Sequence, residues 1–363
     1  MTVRGDKLEY PHDTASPTAA LLDTKLIIKS TISDHQRCGS QFCSIDIKDF
    51  FLQTIMDNPE YIQIHKKYFS KNFVTQYQLK ELINNDGYVY CAINRGMYGL
   101  KQAAILVYKQ LVQRLAKYGY IPIPTTNGLW KHKTKRTLFA LCVDDFGIKY
   151  DSMEDLNHLT TALKENYEIN VNMEGWNFCG LRLEWNYKEG YVDISMPNYV
   201  QKKLIKFQHN KPTRPQYAPR KWLKLAYGKK LQYAPPPDDS ELLAAEGITR
   251  IQSINGSFLY YGRAVYPTIL TALNEIATQQ AKPTIATDQK AKMLMDYLAT
   301  YPNAKLRFYA GIMQLQVKTD AVYLVLPNAR SRLAGHFYLS AFLSAHKTYP
   351  DKYDAPILTE CHT

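Results

Sequence analysis

The segment LFALCVDDFGIKY at residues 138–150 places two adjacent acids between two short apolar runs. Both runs are rich in strand-forming residues and too short for an ordinary helix, so the pattern predicts a β-hairpin whose tip carries Asp144 and Asp145. A solvated turn would explain an isolated Asp-Asp pair, because Asp is common in hairpin connections. Two carboxylates at the tip of a buried hairpin are costly, however, unless a positive charge lies between them. The remainder of the sequence decides between these two interpretations.

Composition indicates a globular protein with a polyanionic partner. The chain has 363 residues, of which 45% are hydrophobic, enough for two or three domains with cores of their own. Lys and Arg number 45 against 33 acids, and the net charge of +12 suits nucleic acid or a membrane surface. The sequence contains neither an apolar run of transmembrane length nor the apolar core of a signal peptide, which predicts a soluble, intracellular chain. The spacing of the six Cys predicts neither a zinc site nor a disulfide framework.

A second pair of acids occurs much earlier in the chain, in the segment QFCSIDIKDFF at residues 41–51. Its alternating pattern predicts a strand in which Asp46 faces away from the aliphatic Ile45 and Ile47. Two strands could bring Asp46 together with Asp144 and Asp145. Three converging carboxylates provide a cage of hard oxygen ligands for two Mg²⁺ ions, which can activate an attacking 3′-hydroxyl and stabilise a leaving pyrophosphate.

The remaining elements are predicted from local signals. Helices are expected to begin at Pro17 and Pro197, because proline is favoured at the first helical position, and after Ser152, which is a good N-cap. The segment YVYCAINR at residues 88–95 is predicted to be a strand, and residues 58–87 before it are interpreted as a polar insertion. The pattern is helical from residue 241 to about residue 300, and short strands return from Lys305 onward.

Several segments taken together resemble a known family. SIDIKDFFLQTIM, RGMYGLKQAAILVYKQL, LCVDDFGIKY and FCGLRLEWNY, in this order, resemble the palm motifs of reverse transcriptases of copia-type LTR retrotransposons. Two later segments, ITRIQSINGSFLYYGRAVYPTILTALNEIA and KTDAVYLVLPNARSRLAGHFYLS, resemble the helical connection and the first ribonuclease H strands of the same polyproteins. The resemblance implies an α+β fold, a right-hand polymerase with palm, fingers and thumb and an antiparallel palm sheet, followed by a helical connection and partial ribonuclease H-like strands.

The same resemblance, combined with composition, implies four regions. Residues 1–208 would form the fingers and palm, with incomplete N-terminal fingers. Residues 209–240 are rich in Pro, Lys and Arg and are predicted to be a basic, semi-rigid linker. Residues 241–304 would form the helical thumb or connection. Residues 305–363 would form an incomplete ribonuclease H-like domain.

The resemblance also assigns roles to individual residues. Asp46, Asp144 and Asp145 are implied to be the catalytic metal ligands, and Phe51 the aromatic residue that excludes a 2′-hydroxyl from the incoming sugar. Either Phe50 or Phe51 could instead be ordinary core. The hairpin in FCGLRLEW would be the primer grip, or simply a hairpin. The further positions implied to bind nucleotide, including the loop against the nascent base pair and template, are Ile47, Asp49, Phe50, Tyr98, Gly99, Leu100, Lys101 and Gln102.

Three departures from the family pattern bear on activity. Cys142 stands where most relatives have an aromatic residue, which removes no metal ligand. The Arg expected to grip the triphosphate would lie before Met1, which predicts a truncated fingers segment and slow polymerisation. Asp320 matches the first ribonuclease H ligand, but Val322 replaces the usual Ser, and the later acids of that site would lie beyond Thr363. The resemblance therefore predicts a vestigial ribonuclease H site at Asp320.

These observations predict an RNA-directed DNA polymerase that transfers deoxynucleotides to a primer 3′-hydroxyl with two Mg²⁺ ions, for which Mn²⁺ could substitute. The expected partners are an RNA template, a DNA primer and deoxynucleoside triphosphates, with other pol or gag products of the element as further candidates and no membrane. The expected location is a cytoplasmic virus-like particle, the nucleus, or both. The alternatives are a catalytically decayed remnant that still binds nucleic acid through basic and aromatic residues, and an unstable fragment without a role.

Overall fold

The structure is a computed structural model that describes residues 3, 5, 8–222, 238–326, 330–340 and 354–363. Its helices in these ranges are α1 Leu21–Cys38, α2 Lys71–Gln76, α3 Ala103–Ala116, α4 Met153–Lys164, α5 Tyr199–Lys206, α6 Ala245–Ala264, α7 Leu270–Ala277 and α8 Ile285–Thr300. Its strands are β1 Gln41–Ile47, β2 Ile55–His65, β3 Tyr88–Arg95, β4 Tyr120–Pro122, β5 Leu129–His132, β6 Leu138–Cys142, β7 Asp145–Tyr150, β8 Ile169–Asn172, β9 Asn177–Phe178, β10 Leu181–Asn186, β11 Tyr191–Ser195, β12 Lys305–Tyr309, β13 Gln314–Leu326, β14 Arg330–Ser340 and β15 Leu358–His362.

This mixture of helices and largely antiparallel sheets confirms the predicted α+β class. Tertiary contacts divide the chain into a first unit, Met1–Ala19 with Ile45–Val171, and a second unit, Ala20–Ser44 with Asn172–Thr363. No helix in the described ranges is long and apolar enough to cross a membrane.

The first unit is built around a six-stranded sheet with the strand order β4-β5-β6-β7-β1-β8. Its core contains a row of aromatic rings in which Trp130 stacks on Phe139 at 5.5 Å and Phe139 contacts Phe146 at 5.3 Å between ring centroids. The helix α3 buries Val107 and Leu111, which are four residues apart and therefore share one helical face. A separate two-stranded ribbon, β2-β3, completes this unit.

The second unit contains two antiparallel sheets and several helices. The strands β9 to β12 form one sheet in the order β12-β11-β10-β9, and α1 packs against β11 and β12. The strands β13, β14 and β15 form the other sheet, and β15 contacts α7. The buried amine of Lys29 in α1 pairs with the carboxylate of Asp354 and also donates to the carbonyl of Tyr309. Burial lowers the pKa of Lys29, and the charge of Asp354 opposes that change.

Most local predictions are confirmed, including β1, β3 and the cap of α4, where the Ser152 hydroxyl accepts the backbone N–H of Asp155. The predicted helix start at Pro17 is wrong. The helix α1 begins at Leu21, because the backbone N–H of Ala19 donates instead to the carbonyl of Leu141 at 2.8 Å.

Two further predictions need correction. The helix α5 begins at Tyr199 rather than at Pro197, with Asn198 as its N-cap in a left-handed conformation at φ 60°. The segment interpreted as a polar insertion contains β2, which pairs with β3, and also α2. Of the predicted linker, residues 223–237 lie outside the described part of the chain. The strand β12, grouped above with the C-terminal strands, pairs with β11.

The turn between β6 and β7 contains backbone strain. Cys142 and Asp145 are directly paired, so the connection consists of Val143 and Asp144 alone. Val143 has a φ of 62°. A two-residue hairpin with positive φ at its first position has the form of a type II′ turn, in which that position favours Gly. A β-branched residue there is strained by about 1–3 kcal/mol.

We therefore expect Val143→Gly to raise the free energy of unfolding by about 0.5–1 kcal/mol, because relief of strain exceeds the extra chain entropy of Gly. The measurement is urea-induced unfolding of the full chain. Val171→Gly is the matched control, since Val171 in β8 has a similar exposure without a positive φ. That control should destabilise the protein, and an equal loss of stability in both variants would contradict strain at Val143.

Candidate active site

The tip of the β6-β7 hairpin lies beside the end of β1. β1 is the neighbour of β7 in the sheet, and the backbone N–H of Ile47 donates to the carbonyl of Asp144 at 3.3 Å. This hydrogen bond joins two segments that are far apart in the sequence. It brings the hairpin that carries Asp144 and Asp145 to the strand that carries Asp46.

Asp46 has the orientation that the alternating pattern predicted. Its neighbours Ile45 and Ile47 are each only 1% exposed, whereas Asp46 itself is exposed. Asp144 and Asp145 are half-buried. The structure therefore collects three carboxylates at one end of the sheet, two from a hairpin and one from the adjacent strand.

The electrostatics of Asp145 show that these acids act on one another. Burial, followed by the negative charges of Asp144 and Asp46, raises the pKa of Asp145 to about 6. A carboxyl with two acidic neighbours is stabilised by anything positive placed among them. Carboxylate oxygens are also the ligands that Mg²⁺ prefers, so the donor chemistry fits such an ion. As the side chains lie, no group of three His, Cys, Asp or Glu residues in the described chain is arranged to hold a metal.

Tyr98 connects the carboxylates to the aromatic residues nearby. Desolvation, together with the negative charges of Asp144, Asp49 and Asp46, raises the pKa of the Tyr98 hydroxyl, so this hydroxyl lies close to the carboxylates. The Tyr98 ring meets Phe51 edge-to-face at 4.6 Å between centroids. The sequence placed Tyr98 in a substrate loop but gave no signal for its proximity to Asp144, since that proximity depends on tertiary structure.

Phe50 and Phe51 are both buried, at 2% and 8% exposure. The ring of Phe50 contacts Tyr167 at 5.6 Å between centroids, as a core residue does. The backbone of Phe51 lies against Gly96, where an added Cβ would be 2.6 Å from the Phe51 carbonyl oxygen. Beside both rings is a mainly apolar cavity of about 240 Å³, lined by Ser16, Pro17, Thr18, Phe50, Phe51, Ala104, Val107, Tyr108, Leu141 and Val143.

The other predicted nucleotide-binding residues have varied surroundings. Asp49 is exposed and has a φ of 50°, immediately before the short helical turn at Phe50–Gln53. Gly99 has a φ of 98°, which favours glycine at this position. Gln102 is 3% exposed, and its amide donates to Glu60 at 2.7 Å while its Oε1 has no hydrogen-bond partner. The contact with Glu60 was not predicted, because β2 itself was missed.

Two further predicted features lie in the second unit. The FCGL segment forms the tight turn between β9 and β10, with φ values of 49° at Cys179 and 76° at Gly180, as a type I′ turn requires. Asp320 is exposed on β13, opposite Ala334 of β14, and accepts the backbone N–H of Ala321. The roles predicted for these residues stay predictions.

Comparison with known proteins identifies the family. Residues 8–220 match the family described as Reverse transcriptase (RNA-dependent DNA polymerase). The chain is 23% identical over 300 residues to the transposon Ty5-1 protein of Saccharomyces cerevisiae, and the match covers 82% of this chain and 89% of that protein.

Solved structures give matches of lower similarity. A foamy viral protease-reverse transcriptase in complex with double-stranded DNA matches 88% of this chain and 42% of its own, with 13% identity and a TM-score of 0.42. A foamy viral protease-reverse transcriptase in complex with an RNA/DNA hybrid matches 88% of this chain and 33% of its own length, with 13% identity and a TM-score of 0.41. The chain thus spans less than half of the length of these two structures.

The family match includes Asp46, Asp144, Asp145 and the loop around Tyr98, which are the residues that the structure brings together. It covers more than half of the chain. The match to the Ty5-1 protein confirms the resemblance to copia-type elements. The chain belongs to the reverse transcriptase (RNA-dependent DNA polymerase) family of copia-type retrotransposons.

Proposed function

We propose that this chain is an RNA-directed DNA polymerase that transfers deoxynucleotides to the 3′-hydroxyl of a primer. The observation that carries the proposal is the convergence of Asp46, Asp144 and Asp145 at one end of an antiparallel sheet. Burial and the two neighbouring charges already raise the pKa of Asp145, as expected for acids placed to share a positive charge. Structural acids elsewhere in a fold rarely tolerate two unpaired acidic neighbours.

Asp46, Asp144 and Asp145 would hold divalent ions, Mg²⁺ in the first place and Mn²⁺ as a substitute. Such ions, when bound, activate the primer hydroxyl and stabilise the charge of the leaving pyrophosphate. The residues of the chain hold the carboxylates in place through the β6-β7 hairpin and the hydrogen bond from Ile47 to Asp144. The Tyr98 hydroxyl lies within the electrostatic influence of Asp144 and so belongs to the same site.

Phe51 would select the sugar of the incoming nucleotide. Its ring is 8% exposed and packs edge-to-face against Tyr98, which restricts its movement. An aromatic ring fixed in this way excludes a 2′-hydroxyl by overlap, which favours deoxynucleotides. Asp49, Gly99 and Gln102 would complete the nucleotide-binding surface.

The finer assignment of the fold follows the same proposal. The six-stranded sheet would be the palm and the β2-β3 ribbon part of the fingers. The helices α6, α7 and α8 would form the thumb or connection, and β13 to β15 the ribonuclease H-like strands with Asp320 as a vestigial ligand. The net charge of +12 suits an RNA template and a DNA primer. The reaction would take place in a cytoplasmic virus-like particle, in the nucleus, or in both.

A second candidate function is nucleic-acid binding without turnover. It is favoured by the exposed aromatic rings of the β2-β3 ribbon, where Tyr61 is 67% and Tyr90 62% exposed. Exposed rings on a basic protein can stack on the bases of a single strand. This function would survive the loss of a catalytic carboxylate, whereas polymerisation would not.

The test of the proposed function is primer extension on an RNA template with Mg²⁺. We expect extension by the full chain and its loss by at least about 10²-fold in Asp145→Asn, because this change removes a ligand at nearly constant size. Asp86→Asn is the matched control, since Asp86 is exposed in a loop of the same unit. If the chain bound the template but extended no primer with any divalent metal ion, nucleic-acid binding without turnover would be favoured. Equal extension by Asp145→Asn would show that Asp145 is not a catalytic ligand.

Stability in metal-free buffer should depend on pH through Asp145. A carboxyl whose pKa is raised to about 6 disfavours the folded state once it ionises, so stability should fall as the pH rises from about 4 to about 6. After allowance for partial solvent exposure, the loss should be about 1–2 kcal/mol. Asp145→Asn should lack this loss and be more stable than the parent at pH 7.5 but not at pH 4. The measurement is thermal unfolding across this pH range with a chelator present. Parallel stability profiles for the parent and Asp145→Asn would show that Asp145 is not the source of the pH dependence.

Sugar selectivity should depend on the size of residue 51. We expect Phe51→Val to raise the relative rate of ribonucleotide incorporation by about 10–100-fold, the range that one altered apolar contact commonly provides. Phe50→Val removes the same volume from the neighbouring ring, which packs on Tyr167, and should lower stability with a smaller change in selectivity. Single-nucleotide extension with paired ribo- and deoxynucleotides measures the ratio. If Phe50→Val changed it more than Phe51→Val, the assignment of the two rings would be reversed.

A further inference from the structure

Residues near the start of the chain pass over the loop that carries Tyr98. The backbone N–H of Val3 donates to the carbonyl of Tyr98 at 3.0 Å. Gly5 is buried, and a Cβ added to it would lie 2.0 Å from the Gly99 carbonyl oxygen and 3.1 Å from the Cα of Leu100. The two backbones are therefore in direct contact at Gly5, and no side chain fits between them.

The same segment is fixed at its other end to β6, the strand that leads into the turn between β6 and β7. The backbone N–H of Ala19 donates to the carbonyl of Leu141 at 2.8 Å. The N–H of Leu141 in turn donates to the carbonyl of Gly128 at 2.7 Å. Gly128 leaves no room for a side chain either, because an added Cβ would lie 1.9 Å from the nitrogen of Ala19. Leu141 is thus held from both sides, two residues before the strained Val143.

These contacts join two elements of the candidate active site. We call residues 3–19 the N-terminal brace, and the structure describes residues 3, 5 and 8–19 of it. At one end the brace contacts the Tyr98 loop, residues 97–102, and the ring of Tyr98 packs on Phe51. At the other end it contacts β6, whose hairpin carries two of the three acids. Between its ends, residues 16–18 form part of the wall of the cavity beside Phe51.

We propose that the N-terminal brace is a positioning element that holds the Tyr98 loop in place relative to the β6-β7 hairpin, and that its fit depends on Gly5. The proposal rests on the proposed polymerase function. The brace supplies no chemical group to the reaction. It sets the distance between the side chains that would meet the nucleotide and the acids that would hold the metal ions. A contact between two backbones transmits a displacement directly, because Gly5 has no side chain that could rotate away.

The contact at Gly5 has no tolerance for an added atom. Because a Cβ does not approach a non-bonded heavy atom within 3.0 Å, an alanine at this position has to move one of the two backbones by about 1 Å. If the loop moves, Tyr98 is displaced from Phe51. If the brace moves, the hydrogen bond from Val3 to Tyr98 is lost. A misplacement of about 1 Å in a substrate-positioning group can lower the rate by about 10²-fold, so the effect should be measurable.

Single-nucleotide extension by Gly5→Ala tests the proposal. We expect the KM for the deoxynucleotide to rise at least about tenfold and the preference over ribonucleotides to fall, while the affinity for primer–template stays that of the parent. Gly256→Ala is the matched control, because Gly256 is exposed in α6 and an added Cβ there meets nothing within 4 Å. A parent-like KM in Gly5→Ala would overturn the proposal. A parallel loss of primer–template affinity and thermal stability would show general destabilisation and would overturn it too.

A second pair of variants separates the hydrogen bond from the close contact. Val3→Pro removes the N–H that donates to Tyr98 and adds no atom at Gly5, whereas Val3→Ala keeps this N–H. Only the proline variant should raise the KM for the deoxynucleotide, by about twofold to tenfold, the range expected for one lost hydrogen bond. Equal KM values in the two variants would contradict a role for the brace in holding the Tyr98 loop.

Hydrogen exchange gives a readout that needs no polymerase activity. The backbone N–H of Leu100 donates to the carbonyl of Met97, and that of Ala103 to the carbonyl of Leu100. In Gly5→Ala these two amides should exchange at least about tenfold faster than in the parent, while the amides of α6 do not change. Val3→Pro should give a smaller acceleration, so the readout survives if Gly5→Ala folds poorly.

The two readouts distinguish this proposal from the proposed function. If the parent extends no primer but Gly5→Ala accelerates exchange in the Tyr98 loop, the polymerase function fails and the positioning contact stands. If the parent extends primers and neither Gly5→Ala nor Val3→Pro changes the KM or the exchange, the positioning role alone is overturned.

Discussion

Three carboxylates repel one another in the first unit, and the strand pairing and core of that unit must hold them together against this repulsion. Asp46, Asp144 and Asp145 carry like charges at one end of a sheet, and the raised pKa of Asp145 reports their interaction. Nothing about these side chains favours their proximity. The backbone supplies it, through antiparallel pairing of β6 with β7 and the bond from Ile47 to the carbonyl of Asp144. The core beneath, with Trp130 and Phe139 stacked, provides the rigid support that such an arrangement needs.

The strain at Val143 belongs to the same arrangement. A two-residue connection makes the hairpin as short as an antiparallel pair allows, so Asp144 and Asp145 are fixed by the strands themselves rather than by a flexible loop. The cost is a positive φ at a β-branched residue. Tyr98 lies beside this arrangement, because its hydroxyl is close to the charge of Asp144 while its ring packs on Phe51. One side chain, that of Tyr98, therefore lies between the ring of Phe51 and the carboxylates.

The sequence predicted features that are encoded locally. Alternation around Asp46 gave its orientation, the Ser152 cap gave the start of α4, and the apolar runs around Asp144 gave the hairpin. It failed where distant backbone groups compete with a local preference. Pro17 favours a helix start, but pairing of Ala19 with Leu141 keeps that segment extended. The sequence also could not give contacts whose partners meet only in the fold, such as Tyr98 with Asp144.

Ring contacts distinguish the two neighbouring aromatic residues in a way that composition could not. Phe50 is almost fully buried and meets Tyr167, whereas Phe51 meets Tyr98, a residue that is 40% exposed and lies near the charge of Asp144. Both rings line the same cavity, but only Phe51 also contacts a partly exposed residue beside the three acids. The identity of the residue is the same at both positions. The direction of each side chain around the short helical turn at Phe50–Gln53 decides which of the two can have a role beyond packing.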